Sequence, residues 1–187
     1  MFQEYSTKLV KTINAINARE WDDAILKIKE TYNTDKQILI CGNGGSASTA
    51  SHYVTDWNKM TQHYNGRGLR GICMSDNLGI ITAYANDYSY ADIYSEQLKI
   101  YANPGDLLIV ISGSGNSPNI LNAIEEAHRL QLSTLAVVGF SGGTAAQISQ
   151  LKVHVPVDDM QISEDLHLVF GHMVMRSLCA DQSELSH

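Results

Sequence analysis

Two histidines and two acids in the sequence have the types and the spacing of a metal-binding or proton-transfer site. His52 and Asp56 are four residues apart in a stretch with a helical pattern, so both lie on one helix face. Glu164 and His172 are eight residues apart in a second such stretch, about 80° around a helix, and share one broad side. Two imidazoles and two carboxylates suit a divalent metal such as zinc. The same groups could move protons between neighbouring carbons of a sugar.

Histidines on helices also have a structural alternative. A lone histidine is more often a structural or surface residue, and this is our interpretation of four of them: His63, His128, His154 and His187. The structural role is also favoured for His167, and Asp56 could be a solvated surface acid. Spacing alone therefore leaves a metal or acid–base site open against a structural role.

A run of hydroxyl and glycine residues has the composition of a phosphate-binding turn. It reads Ser112-Gly113-Ser114-Gly115-Asn116-Ser117 and precedes a helix that Pro118 opens. Hydroxyls and backbone N–H groups ahead of a helix can hold a phosphate without Lys or Arg. The alternative is a capped turn that binds nothing.

A second glycine-rich turn, Cys41-Gly42-Asn43-Gly44-Gly45-Ser46, follows an apolar run and precedes a helical stretch. Its glycines let the backbone approach a ligand, and the helix N-terminus favours an anion. The alternative is a plain strand-to-helix turn with Ser46 as N-cap. Neither turn has the pattern of a Walker loop or of GxGxxG followed by a strand-end acid, which argues against ATP and NAD. A further polar cluster is Asn86-Asp87-Tyr88.

Both turns follow short apolar runs that alternate with helical stretches. The predicted strands are residues 38–41, 71–74, 107–111, 134–138 and 153–157. Continuous apolar strands alternating with helices predict a doubly wound α/β domain with a parallel sheet covered on both faces. Ligands bind such sheets beyond the carboxyl ends of the strands, where the strand order reverses. The turns after strands one and three are therefore the predicted site.

Helices are predicted at both ends of the chain. Two amphipathic helices joined near Asn17 precede the first strand, and a last helix runs from about Ser163 to Cys179. The apolar stripes of the first two face either the sheet or another subunit. We expect one domain over residues 1–187, with N-terminal helices over 1–35 and an α/β core over 36–180.

Composition limits the partners and the compartment. The 187 residues are 44% hydrophobic and 18% charged, which fits one globular domain. A net charge of -7 argues against a nucleic-acid partner. The N-terminus lacks the pattern of a signal peptide, and the apolar run Leu107–Ile111 is too short to cross a bilayer. Three cysteines without a CxxC pair predict reduced thiols in a cytoplasmic protein with no membrane partner.

Together these motifs resemble the phosphoheptose isomerases, which are sugar-isomerase (SIS) domain proteins. The shared motifs run in the same order from about Gln37 to Arg176. They are the Gly-Asn-Gly-Gly-Ser turn followed by His52, the Asn86-Asp87-Tyr88 segment, the Ser112–Asn119 turn, a Val-Pro-x-Asp-Asp stretch and a final helix with two histidines.

The resemblance implies a three-layer, flavodoxin-like α/β fold with a five-stranded parallel sheet, and a homotetramer in which the N-terminal helices take part. It implies an intramolecular oxidoreductase that converts D-sedoheptulose 7-phosphate to D-glycero-D-manno-heptose 7-phosphate through an enediolate, often with zinc. The product would serve a heptose-containing surface polysaccharide.

The resemblance also implies roles for individual residues. The implied substrate contacts are Asn43, Gly44, Gly45, Ser46, Asn86, Asp87, Ser112, Gly113, Ser114, Ser117 and Glu164. The implied ligands of one zinc are His52, Asp56, Glu164 and His172, and the implied catalytic residues are Glu164, His172 and Asp56.

Two of these positions depart from the family pattern. The usual glutamate four residues after the first histidine is Asp56 here, and the usual glutamine at the start of the last helix is Glu164. Aspartate is one methylene shorter, so its carboxylate reaches the same place only if the backbone shifts. Our hypothesis is an exchange of roles, with Glu164 as the catalytic base and Asp56 as a metal ligand or helper.

Two other functions stay open at this point. One is a non-catalytic SIS-domain protein that binds phosphosugars or regulates another protein. The other is an isomerase that acts on a different phosphosugar.

Overall fold

The apolar runs form one parallel sheet in the structure, a computed structural model that describes residues 1–179. The strands are β1 (Gln37–Gly42), β2 (Arg70–Cys73), β3 (Leu107–Ser112), β4 (Ser133–Val138) and β5 (Leu151–His154). Their order is β2-β1-β3-β4-β5 and every neighbouring pair is parallel. This is the flavodoxin-like order, whose reversal lies between β1 and β3. The predicted fold class is confirmed.

Eight α-helices and one short 3-10 helix connect and flank these strands within residues 1–179. The helices are α1 (Phe2–Ala15), α2 (Ala18–Asn33), α3 (Gly45–Asn65), α4 (Leu78–Asp87), α5 (Ser95–Tyr101), α6 (Pro118–Arg129), α7 (Gly143–Ile148) and α8 (Met160–Leu178), and the 3-10 helix is Tyr90–Asp92. Asn17 is the N-cap of α2, so the predicted junction between the first two helices is confirmed. None of the helices within residues 1–179 is both long and apolar enough to cross a membrane.

Two hydrophobic cores lie on opposite faces of the sheet, as a three-layer domain requires. In β1, Ile38 and Ile40 belong to one core, whereas Leu39 and Cys41 belong to the other. This alternation follows from the pleat of a strand, which points successive side chains to opposite faces. Helices α2, α3 and α8 cover the first face, and α5 and α6 cover the second.

The fifth strand lies two residues earlier in the chain than the predicted range 153–157. It begins at Leu151, and the pairing with β4 ends after Val155, whose N–H donates to the carbonyl oxygen of Val138 at 2.8 Å. The next residue, Pro156, has no N–H and cannot continue the ladder.

Helix boundaries near the predicted site also differ from the sequence prediction. Helix α8 begins at Met160, three residues before Ser163, because the Asp159 side chain accepts a hydrogen bond from the Ile162 N–H and caps the helix. Helix α3 begins at Gly45 with Gly44 as its N-cap, so Ser46 does not cap it. His187 and the last residue of the predicted 36–180 core lie outside the described residues.

Candidate active site

The two glycine-rich turns meet where the strand order reverses. Strands β1 and β3 are direct neighbours, with Gly42 in register with Ile111, so both chains leave the sheet side by side. The first turn leads into α3, and the second leads into α6. The edge between them is the place where open α/β sheets bind ligands.

A cleft of about 140 Å³ lies between these turns and the start of α8. It is lined by Asn43, Ser46, Ile111, Ser112, Gly113, Ser114, Ser117, Met160 and Glu164. None of these nine residues is Lys or Arg, so an anion in this cleft would be held by hydroxyl, amide and backbone N–H donors. The structure thus brings residues of both predicted turns together with Glu164.

The second turn is held in shape by hydrogen bonds that leave its hydroxyl protons free. Ser112 Oγ accepts from the Gly115 N–H at 3.1 Å, and Ser114 Oγ accepts from the Asn116 N–H at 3.3 Å. A hydroxyl that accepts a hydrogen bond still has its own proton to donate. Asn116 Oδ1 in turn accepts from the Thr144 N–H at 2.9 Å, which braces the turn against α7. Both serines can therefore donate to an oxyanion.

The first turn depends on glycine at two places. A Cβ atom at Gly42 would lie 2.7 Å from the backbone of Ser46, so only glycine lets the chain turn so tightly into α3. Gly44 has φ of 53°, a backbone conformation that side-chain-bearing residues rarely adopt. The backbone leaving β1 is also held by the Tyr94 hydroxyl, which donates to the Gly42 carbonyl oxygen.

Glu164 lies in the cleft and faces the first turn of α3. Its carboxylate packs against Gly45, and no hydrogen bond or ion pair to it occurs among residues 1–179. A partly buried carboxylate without a partner is available to a ligand in the same cleft.

A second polar cluster lies where α3 crosses α8. His52 Nε2 lies 3.2 Å from His172 Nε2 and 3.2 Å from Asp56 Oδ2, and the Asp56 oxygen lies 3.9 Å from His172 Nε2. The three ligand atoms all lie within 4.8 Å of one another. Atoms bound to one zinc at about 2.0–2.1 Å in tetrahedral geometry lie roughly 3.3 Å apart. Two imidazoles and a carboxylate at these distances fit a zinc ion with one position left for another ligand.

The crossing of α3 and α8 is close because α8 carries glycine at the contact. The Tyr53 ring packs on Gly171, where a Cβ atom would lie 2.1 Å from a ring carbon. Trp57 Nε1 also donates to the Gly171 carbonyl oxygen at 2.9 Å. Since His52 and His172 are the chain neighbours of Tyr53 and Gly171, this contact sets the approach of the two imidazoles.

Three of the four predicted metal ligands come together, and Glu164 does not join them. Eight residues of helix separate Glu164 from His172 by about 12 Å along the axis. A shared side of α8 therefore does not bring Glu164 and His172 to one metal ion, because the Glu164 side chain packs on Gly45 whereas His172 faces α3. Glu164 instead lies with the two glycine-rich turns.

Asn86 and Asp87 are not among the residues that line the cleft. They lie exposed at the end of α4, where Asn86 Nδ2 donates to Asp87 Oδ1 at 2.8 Å. The segment that follows does reach the site, because the Tyr90 hydroxyl donates to Asn43 Oδ1 at 3.0 Å.

Several residues of this region have no signal in the sequence. Met160 lines the cleft and lies directly on the second turn, since a Cβ atom at Gly113 would be 2.5 Å from its sulfur. No local sequence pattern indicated that the Tyr90 hydroxyl would contact Asn43. Asn119 belongs to the Ser112–Asn119 motif, but that motif did not indicate that Asn119 pairs with Asn43.

The other histidines within residues 1–179 join neither cluster. His167 is fully buried and neither of its ring nitrogens makes a hydrogen bond of good geometry within residues 1–179. Burial lowers its pKa to about 4, although the nearby backbone of Val138 opposes that shift. This agrees with a structural role. His63 and His128 are exposed, and His154 Nε2 lies 2.8 Å from the Phe140 carbonyl oxygen.

Comparisons with known proteins agree with this fold. The family model of the SIS domain matches residues 1–139. The phosphoheptose isomerase of Chlorobaculum parvum is 36% identical over 177 residues, which cover 91% of this chain and 83% of the relative. That of Aliarcobacter butzleri is 36% identical over 160 residues, covering 84% and 82%.

Solved structures of phosphoheptose isomerases share the architecture. The enzyme from Francisella tularensis superposes with a TM-score of 0.88 at 27% identity, over 96% of this chain and 95% of that one. The enzyme from Neisseria gonorrhoeae gives a TM-score of 0.85 at 26% identity, over 96% and 100%.

The fold, the two turns at the strand reversal and the family model define a SIS-domain protein. Within that class, the chain belongs to the phosphoheptose isomerase family.

Proposed function

We propose that the protein is a phosphoheptose isomerase, an intramolecular oxidoreductase that converts D-sedoheptulose 7-phosphate to D-glycero-D-manno-heptose 7-phosphate. The observation that carries this proposal is the unpartnered carboxylate of Glu164 in the same cleft as the hydroxyl-rich turn. The cleft thus combines donors for a phosphate with a group that can move a proton. The relatives named above carry the same activity in their names.

The phosphate is the part of the substrate that the turns recognise in this proposal. Ser112, Ser114 and Ser117 donate their hydroxyl protons, and the N-terminus of α6 supplies partial positive charge. The backbone of Asn43, Gly44 and Gly45 approaches the sugar from the other side. Binding energy from the phosphate can then stabilise the transition state at the distant reacting carbons.

The reaction needs one proton moved between carbons and one between oxygens. Glu164 takes the proton from C1 of the ketose, which yields a cis-enediolate, and returns it to C2. The second proton passes from O1 to O2, and His172 or Asp56 is the group that carries it when no metal is bound. Asn86 and Asp87 would contact the substrate only from another part of the assembly or after a movement of α4.

Zinc is part of the proposal as the cofactor, with His52, Asp56 and His172 as its ligands. When bound, it would act as a Lewis acid towards a sugar oxygen that reaches it. A ring nitrogen of His172 that is bound to zinc cannot also carry a proton. In the zinc form, therefore, His172 and Asp56 would hold the metal and Glu164 would remain the base, with solvent water carrying the proton from O1 to O2. This is the exchange of roles in which Asp56 serves as a metal ligand.

The test compares Glu164→Gln, Asp56→Asn and the wild type with sedoheptulose 7-phosphate in D2O by proton NMR. We expect the wild type to form product and take up solvent deuterium, and Glu164→Gln to do neither. Asp56→Asn should lose metal and part of its activity. Glu125→Gln, on an exposed residue of α6 away from the cleft, is the matched control.

Full activity in both site variants would refute the assignment of Glu164 and Asp56. A wild type that binds the phosphosugar without product or deuterium uptake would indicate a binding or regulatory protein instead. Uptake with another phosphosugar only would indicate a different isomerase.

We also propose that the protein is a homotetramer that uses its N-terminal helices. An apolar groove of about 220 Å³ between α1, α2 and α8 supports this, because Ile13, Val169 and Met173 are exposed in the single chain. Covering such a surface is favourable. Light scattering should show Ile13→Asp to be a smaller species than the wild type. Ile100→Asp is the control, because Ile100 is exposed on α5, on the other side of the sheet from that groove.

A cytoplasmic location completes the proposal, with a phosphorylated sugar as partner and neither nucleic acid nor membrane. All three cysteines are free and buried, and burial raises the pKa of the Cys73 thiol to about 12. Free thiols are typical of a reducing compartment. The product would supply the synthesis of a heptose-containing surface polysaccharide.

A further inference from the structure

The side-chain amides of Asn43 and Asn119 form a reciprocal pair that joins the two turns. Asn43 Nδ2 donates to Asn119 Oδ1 at 3.0 Å, and Asn119 Nδ2 donates to Asn43 Oδ1 at 2.8 Å. Asn119 lies at the start of α6 and is only 1% exposed, whereas Asn43 lines the cleft. The pair therefore connects a buried residue of the second turn with a ligand-facing residue of the first.

Counting donors and acceptors shows what Asn43 offers to a ligand. Its Oδ1 has two lone pairs, and they are taken by Asn119 Nδ2 and by the Tyr90 hydroxyl at 3.0 Å. Its Nδ2 has two protons, of which one is donated to Asn119. Within residues 1–179, the single unused group of this amide is one N–H. An amide in this arrangement presents a donor to the cleft and no acceptor.

The segment that carries Tyr90 is itself held in place by the same helix. Asn122, one turn after Asn119 on α6, donates to the Ala91 carbonyl oxygen at 3.1 Å and to Asp92 Oδ1 at 3.2 Å. The short 3-10 helix that carries Tyr90 is thus anchored to α6. Both partners of the Asn43 amide therefore depend on α6, whose first residues follow the proposed phosphate turn.

We propose that Asn119 is a positioning residue that orients the Asn43 amide so that its free N–H donates to an oxygen of the phosphosugar, with Tyr90 holding the amide oxygen. This inference rests on the proposed function for the identity of the ligand. A ligand rich in oxygen acceptors is what a fixed donor recognises, and an amide free to rotate would offer the wrong group part of the time.

The experiment measures the Kd and the turnover of sedoheptulose 7-phosphate for Asn119→Leu, Tyr90→Phe, Asn43→Ala and the double variant Asn43→Ala/Asn119→Leu. Asn119→Leu has nearly the same size, adds no charge beside the phosphate turn and cannot donate to Asn43 Oδ1. We expect it to raise Kd by about fivefold, the factor of one lost hydrogen bond between neutral groups. Tyr90→Phe should raise Kd by a smaller factor.

The double variant separates positioning from a general structural role. If Asn119 acts through Asn43, the double variant binds no more weakly than Asn43→Ala alone, because there is no amide left to orient. If the double variant instead raised Kd by the product of the two single-variant factors, the inference would be wrong. Asn58→Leu is the matched control, since the Asn58 amide also makes two hydrogen bonds, both to Gly71, and lies outside the cleft.

The outcomes also distinguish this inference from the proposed function. A wild type that binds the sugar phosphate without turning it over refutes the isomerase, yet the Kd series still tests Asn119. A wild type that turns over the substrate, with Asn119→Leu indistinguishable from Asn58→Leu, refutes the positioning role alone. A wild type that does not bind the substrate refutes both.

Discussion

The carboxylate of Glu164 lies against the α-carbon of Gly45, so that a Cβ atom there would be only 2.6 Å from Oε1. This contact joins the start of α8 to the first turn of α3 and leaves the carboxylate in the cleft. Gly45 therefore has a role beyond its backbone flexibility. Its missing side chain provides the space that the proposed catalytic base occupies.

Gly45→Ala should reduce isomerase activity with little loss of stability. The new methyl group would displace the carboxylate of Glu164, which is the far end of a flexible side chain, and a misplacement of about 1 Å can cost about a hundredfold in rate. Alanine is favoured over glycine inside helices by about 1 kcal/mol. Steady-state kinetics and thermal unfolding of the same preparations provide the measurement.

Gly79→Ala is the control for that variant, because Gly79 is an exposed residue of α4 outside the cleft. It should keep wild-type activity. An active Gly45→Ala protein would mean that the position of Glu164 in this structure is not the one used in the reaction.

Zinc content should depend on His52. We expect about one zinc per chain in the wild type after dialysis against the metal, because the three-ligand set fits one tetrahedral ion. His52→Ala removes one imidazole and should lower the measured zinc content to well below that value. Elemental analysis provides the readout, and His63→Ala on the exposed end of α3 is the control. Equal zinc in both variants would place the metal elsewhere.

The sheet was predictable because its strands are buried on both faces. Residues 107–112 are all buried, and an unbroken apolar run is the sequence pattern of such a strand. The two turns were also predictable from the local sequence, because glycines directly after a strand allow the backbone conformations of a tight turn.

The contacts inside the site could not be predicted in the same way. Asn43 and Asn119 are 76 residues apart, and their pairing depends on the register of β1 against β3 and on the direction of two side chains. The eight-residue spacing of Glu164 and His172 predicted that they share one side of α8. The partner of each side chain depends instead on how α8 crosses α3. Such long-range packing leaves no local pattern in the chain.

Gly171→Ala should separate the two histidines and destabilise the fold. A Cβ atom at Gly171 would lie 2.1 Å from the rigid Tyr53 ring, so α3 and α8 would have to move apart. Overpacking of this kind costs about 1–3 kcal/mol. Denaturant unfolding should show that loss, and zinc affinity should fall because His52 and His172 are the neighbours of the clashing pair.

Replacing Tyr53 with a smaller side chain is the internal control for the clash at Gly171. Tyr53→Leu alone should lose stability through its cavity. The double variant Tyr53→Leu/Gly171→Ala should be more stable than the sum of the two single losses predicts, because the added methyl group fills part of that cavity. Additive losses would contradict the contact.

Stability should fall as the pH drops from 6.5 towards 4, because of His167. Burial lowers its pKa from 6.5 to about 4, so in this range the unfolded chain binds a proton that the folded chain does not. The contribution of His167 to the free energy of unfolding is fully present above pH 6.5 and is lost by about pH 4, a change of about 3 kcal/mol. His167→Gln should remove this part of the slope measured by denaturant unfolding across that range, whereas His63→Gln should keep it. An unchanged slope in His167→Gln would mean that the buried imidazole takes up its proton without unfolding, through a partner or a water molecule that satisfies the charged ring.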